Sequence, residues 1–121
     1  MPYAHTPYVR RGILHDQDVR ISLDSPAWFA WLAAANRFAY LSQSGHEPMT
    51  VRKEKRRHSF YWFAYTKWVG KLHNSYIGRS DTLTQARLEQ VVGQLHERAR
   101  RAQRQTAEVT PTPQQGGDGM D

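Results

Sequence analysis

The sequence predicts an α+β fold: a three- to four-stranded antiparallel β-meander, with an N-terminal helix and a C-terminal helix packed on one face. Three observations carry this. Apolar and polar residues alternate along the stretches between Arg37 and Gly78, with turn residues between them. The run "LDSPAWFAWLAAANRF" before them opens like a helix. After them, Leu88, Val91, Val92 and Leu95 make one helical stripe. A length of 121 residues suits one domain. The chain divides into a flexible arm over 1–12, a single α+β domain over 13–104 and a disordered tail over 105–121.

Each element follows from its residues. Val19, Ile21 and Leu23 alternate with Arg20 and Ser22 after the polar turn "HDQD", which predicts a weak hairpin or single strand. Asp24 or Ser25 caps the first helix and Pro26 suits its first turn. Trp28, Trp31, Leu32 and Ala35 then share one face, which is expected to pack on the sheet. Strands follow at about 37–42 and 48–55, separated by the turn residues "QSGHEP". The next strand spans Ser59–Trp68, and Gly70 turns it into a last strand over Lys71–Gly78. Thr84 caps the second helix, with Leu83 before the cap placed to staple onto Leu88. From His96 to Arg104 that helix turns basic, with Arg98, Arg100, Arg101 and Arg104, which its C-terminal dipole favours without further purpose. The Pro/Gly/Gln-rich "TPTPQQGGDGMD" has no apolar periodicity to fold on.

Composition narrows the function. There is no Cys, which removes disulfides, thiolate chemistry and Cys-ligated zinc. The six His are scattered, without the clustering a metal needs, so no metal or other cofactor is expected. Gly45, Gly70 and Gly78 mark turns and form no phosphate loop, and no nucleophile stands out with its base. The chain is therefore expected not to be an enzyme. No apolar run reaches the length of a membrane span, and no secretion signal opens the chain, so a cytoplasmic protein away from membranes is expected. The formal charge of +6, from 17 Lys+Arg against 11 Asp+Glu, favours an acidic partner.

The densest stretch is "FYWFAYTKWVGKLHNSYIG", preceded by "VRKEKRR". In a strand, alternate side chains face opposite ways. Phe60, Trp62, Ala64, Thr66 and Trp68 are assigned to the core, because Ala64 lets a helix approach. Tyr61, Phe63, Tyr65 and Lys67 then lie on an open face. By the same alternation Arg52, Glu54 and Arg56 join that face from the preceding strand, and Asn74 and Tyr76 from the following one. Arg and Asn match purine edges, and aromatic rings suit thymine methyls or splayed bases. Lys53, Lys55, Arg57 and Lys71, at strand ends, are placed to hold phosphates. The candidate nucleic-acid site is thus Arg52, Lys53, Lys55, Arg56, Arg57, Tyr65, Lys67, Lys71, Asn74 and Tyr76, with double-stranded DNA the favoured partner. A Tyr- and Arg-rich open face equally suits a protein partner.

Trp28, Trp31, Lys53, Glu54, Tyr61, Trp62, Ala64, Tyr65, Gly70, Lys71, Tyr76, Ile77, Gly78, Leu83, Thr84, Arg87 and Leu88 together form a pattern. It resembles the N-terminal segment of large LuxR/MalT-type transcriptional regulators of Chloroflexi-like bacteria, over about residues 19–96. The chain lacks the NTPase, repeats and helix-turn-helix of those regulators. More loosely, Trp62–Ala64 and Tyr76–Ile77–Gly78 resemble the three-stranded-sheet domains of recombinase arm-binding modules and ethylene-response factors, whose sheets enter the DNA major groove. Phe63 and Tyr65 stand where those domains more often carry charge. The resemblance implies a non-enzymatic DNA-binding domain in bacterial transcription regulation or mobile-element biology. A protein-interaction module, or single-strand binding by aromatic stacking, is the alternative.

Overall fold

The computed structural model describes residues 6–68 and 70–109, with side chains as far as Arg104. Three short strands come first: β1 (Tyr8–Arg10), β2 (Ile13–Asp16) and β3 (Val19–Ser22). Helix α1 (Pro26–Ala34) follows, then β4 (Arg37–Leu41), β5 (Met49–Arg56), β6 (Ser59–Trp68) and β7 (Lys71–Gly78), and finally α2 (Gln85–Val109). The strands form one sheet in the order β3-β2-β1-β4-β5-β6-β7.

The α+β class and both helices agree with the sequence reading. The four-stranded antiparallel run β4–β7 agrees as well, but the sheet is wider than a meander. β1 lies inside it, antiparallel to β2 and parallel to β4, with Val9 opposite Tyr40. Of the arm expected over 1–12, residues 1–5 lie outside the described residues, and Tyr8–Arg10 belong to the sheet interior. Three residues are too few to show a period, and their strand character comes from the ladders on either side. At the other end, α2 runs on to Val109, past the expected boundary at Arg104. The remaining tail, 110–121, lies outside the described residues.

Both helices pack on one face of this sheet. Ser25 caps α1 by accepting from the Trp28 N–H at 3.2 Å, and Thr84 caps α2 by accepting from the Arg87 N–H at 3.2 Å. Trp28 and Leu32 of α1 meet Leu88, Val91, Val92 and Leu95 of α2 over Val9, Leu14, Phe38, Val51, Trp62 and Ala64 of the sheet. The Trp28 indole donates to the Leu83 carbonyl at 2.6 Å, which satisfies its one polar atom inside the core. Trp31 is half-buried and donates to Asp16 at 2.9 Å, tying α1 to the end of β2. Arg87 and Arg98 of α2 donate to main-chain carbonyls of β7, the Tyr76, Ile77 and Asn74 oxygens. They occupy acceptors on an edge strand that would otherwise invite another strand.

Glu89 of α2 fastens the loop after β4. Its carboxylate accepts from the Tyr40 hydroxyl (2.5 Å), Ser42 (3.2 Å), the Gln43 N–H (2.9 Å) and Ser44 (3.0 Å). Burial alone would raise the Glu89 pKa, but these four donors outweigh it and hold the carboxyl below its ordinary value. A depressed carboxylate contributes stability that is present above its unfolded pKa and lost as the pH falls through the folded one. Wild-type stability should therefore fall as the pH drops below about 4. Glu89→Gln, followed by urea titration at several pH values, should be less stable at pH 7. It should also lose less on acidification than the wild type. An unchanged acid limb in the variant would show that other carboxylates set it.

Candidate nucleic-acid interface

Among the described residues no helix packs on the second face of the sheet, and strand register fixes which side chains stand on it. One row crosses all seven strands: Arg20, His15, Tyr8, Ala39, Thr50, Tyr65 and Asn74. The next row runs Arg37, Arg52, Phe63, Tyr76. Beyond it, Glu54 lies opposite Tyr61. On the other side of the long row, Arg10 lies beside Leu41, and Lys67 opposite Leu72. Arg52, Arg56, Tyr65, Lys67, Asn74 and Tyr76 thus stand on the open face, as alternation predicts.

This face is bound together by its own side chains. Glu54 accepts from the Tyr65 hydroxyl and from the Arg56 guanidinium, and both hold its carboxyl below the ordinary value. The same bond, with burial added, raises the Tyr65 phenol. Arg52 stands over the Tyr65 ring at 5.6 Å and Arg56 over Phe63 at 4.5 Å. Arg79, just after β7, stands over the Tyr61 ring at 5.5 Å, and its guanidinium lowers the Tyr61 pKa. Tyr76 packs edge-on to Phe63 at 5.5 Å and remains half exposed. Arg79 and Arg37 were missed by sequence reasoning. Arg37 shares its alternation with Ala39 and Leu41, which was signal enough. Arg79 follows its strand and carries none.

Four candidates fall elsewhere. Lys53 shares its side of β5 with Val51. Its ammonium donates to the Leu32 and Ala33 carbonyls at the end of α1 (2.9 and 3.1 Å) and stands 5.3 Å over the Trp62 ring. Burial lowers its pKa. It is a helix-end cation on the core side, not an open-face group. Lys55 projects to that same side farther out, opposite Phe60. Arg57 sits in the β5–β6 turn with φ 59°. Lys71 pairs with Trp68 at the β6–β7 turn, the opposite end of β6. The candidate residues are therefore spread along β6: Lys55, Arg56 and Arg57 at the β5–β6 turn, Arg52, Tyr76, Tyr65 and Asn74 along the middle of the face, and Lys67 and Lys71 at the far end. Phe60 corrects the core assignment: it shares the parity of Trp62 but is 57% exposed, because β6 there has outrun both helices.

The β5–β6 hairpin also outruns its neighbouring strands. β4 ends its pairing where Arg37 meets Arg52, with one further bond from the Lys53 N–H to the Asn36 carbonyl. β7 ends its pairing where Gly78 meets Trp62. The pairs Glu54–Tyr61, Lys55–Phe60 and Arg56–Ser59 lie beyond both, closed by Arg57 and His58. At about 3.4 Å per residue this two-stranded ribbon stands out by about 10 Å.

Among the described residues no group of three or more His, Cys, Asp or Glu is placed to hold a metal ion, and no helix is long and apolar enough to cross a membrane. No family model matches the chain, and neither a curated protein nor a solved structure does.

Proposed function

We propose that this chain is a non-enzymatic binding domain for double-stranded DNA, and that it works through the projecting β5–β6 ribbon. One observation carries the reading. Lys55, Arg56, Arg57 and His58 stand on a two-stranded ribbon that, among the described residues, has no strand beside it. The major groove is about 12 Å wide and about 8.5 Å deep, and admits a two-stranded ribbon. Seven strands spaced about 4.8 Å apart span about 29 Å, so the sheet as a whole does not enter. In this arrangement the ribbon supplies Arg56 and Arg57 to base edges or phosphates. Arg37, Arg52 and Arg79 at its root face the flanking backbone. The likeness to sheet-reading DNA-binding domains points the same way, with the contact moved from the sheet face to its protruding hairpin.

The aromatic part of the face favours a second reading. Tyr76 is 50% exposed beside Phe63 and Tyr61, and Leu72, farther along the same face opposite Lys67, is 64% exposed. Such a surface stacks unpaired bases or seats a protein.

Titration of a labelled duplex at several salt concentrations separates these. With four to five phosphates neutralised, log K is expected to fall against log salt with a slope of about −4. The triple variant Lys55→Ala/Arg56→Ala/Arg57→Gly should keep its fold and bring the slope to about −2 or shallower. Glycine at position 57 suits the positive φ there. Tighter binding to single strands that collapses on Tyr65→Ala would favour stacking. No salt-dependent binding by folded protein would leave the protein-interaction module.

A further inference from the structure

At the opposite end of the sheet from the ribbon, the topology opens a second feature. β1 and β4 are adjacent and parallel, but their chains leave in opposite directions, β1 toward β2 and β4 toward β5. Where neighbouring parallel strands send their exits apart, a crevice opens at their carboxyl ends. Open parallel sheets place ligands in such crevices. The cause is the divergence of two loops, so a single parallel pair suffices. Here Arg10, Arg11, Leu41, Ser42 and Gln43 line a crevice of about 470 Å³.

Its two walls are held firmly and its cations are unspent. On the β4 side, Glu89 fixes Ser42, the Gln43 main chain and Ser44 from behind, which occupies the carboxylate with donors of the protein itself. On the β1 side, Arg11 and Gly12 form the two-residue turn into β2, with φ 54° and 76°. Such a turn selects Asn, Asp or Gly. An arginine with positive φ is a local cost that the turn itself does not reward. Among the described residues, neither the Arg10 nor the Arg11 side chain has a hydrogen bond, an ion pair or an aromatic ring to rest on. Each guanidinium offers five N–H donors in a planar fork suited to phosphate oxygens. The Gln43 side-chain amide adds a neutral donor on the facing wall.

We propose that this crevice binds a phosphate group, clasped between Arg10 and Arg11 with Gln43 opposite. That group belongs to a small phosphorylated or pyrophosphorylated compound or to a nucleic-acid backbone. The site is independent of the ribbon.

Thermal melting with and without pyrophosphate, at ionic strength held constant with chloride, tests it. Pyrophosphate should raise the wild-type Tm, and the rise should disappear in Arg10→Gln and in Arg11→Gly. Arg11→Gly relieves the turn, so loss of the shift there cannot come from unfolding. The ribbon triple variant should keep the full shift, which separates failure of this site from failure of the ribbon. Duplex titration of Arg10→Gln identifies the source. A shallower salt slope assigns the phosphate to nucleic acid, and an unchanged one to a small molecule. An equal Tm rise in wild type and Arg10→Gln would overturn the proposal. So would no rise at concentrations that saturate a site with a Kd of about 1 mM.

Discussion

Trp62→Ala is expected to destabilise the protein by about 3–5 kcal/mol, the range for truncating a buried aromatic to alanine, and Tyr65→Ala by far less. Three residues apart on β6, the two lie on opposite faces. The Trp62 ring is wholly buried, packs on Phe38 at 5.6 Å, and donates from Nε1 to Ser80 at 2.9 Å. Its removal leaves a cavity against Phe38, strips the Lys53 ammonium of the ring it stands over, and unpairs the Ser80 hydroxyl. Tyr65 is only half-buried. Its loss frees Glu54 to water, where the carboxylate is still met by Arg56. Urea unfolding of both variants measures the difference. Equal costs, or the reverse order, would mean that the helices cover the other face.

Gly78→Ala should cost about 2–3 kcal/mol, from a backbone conformation that alanine rarely adopts and a contact it cannot avoid. Gly78 has φ 141°, and a Cβ there would stand 2.3 Å from the Thr82 hydroxyl oxygen. The cause lies one residue earlier. Phe63 pairs with Tyr76 and Trp62 with Gly78, so Ile77 is an extra residue in β7, a bulge that turns Ile77 and Gly78 together into the core. Thr82 cannot swing away freely, since its hydroxyl donates to the Arg79 carbonyl at 2.7 Å. Adding Thr82→Ala removes the contact and should recover part of the loss. The remainder, about 1–2 kcal/mol, belongs to the backbone. Full recovery would show that strain contributes nothing.

How much of this was legible in the sequence depends on how local the cause is. The α1 cap, the α2 stripe and strands β4 to β7 announce themselves because a cap or a period lies within a few residues. The two faces of β6 followed from period two. Phe60 shows the limit of that rule: parity says which side a residue takes, not whether a helix reaches that far. Lys53 shows the converse. Its parity with Val51 already pointed to the core side, but a lysine beside a basic run suggests solvent. Only α1's terminal carbonyls, brought in by the fold, give the ammonium a reason to be there. Glu89 looked like an ordinary polar position on an amphipathic helix. Its four donors come from residues 40–44, and no local pattern links them. The crevice at Arg10 and Arg11 was out of reach for the same reason, since it exists only once β1 lies beside β4.

The position of β1 also bears on the order in which this molecule assembles. A strand early in the chain sits in the interior of the sheet, and its partner on one side, β4, comes only after β2, β3 and α1. While the chain emerges, β1 can pair with β2 at once, but its other edge waits. Val9, Leu14 and Ile21 meanwhile wait for the rest of the core cluster to cover them. Contacts between distant parts of a chain slow folding, because the loop must close before the contact repays it. The parallel joint between β1 and β4 should therefore form late, after the β4–β7 hairpins have built the platform on which it docks.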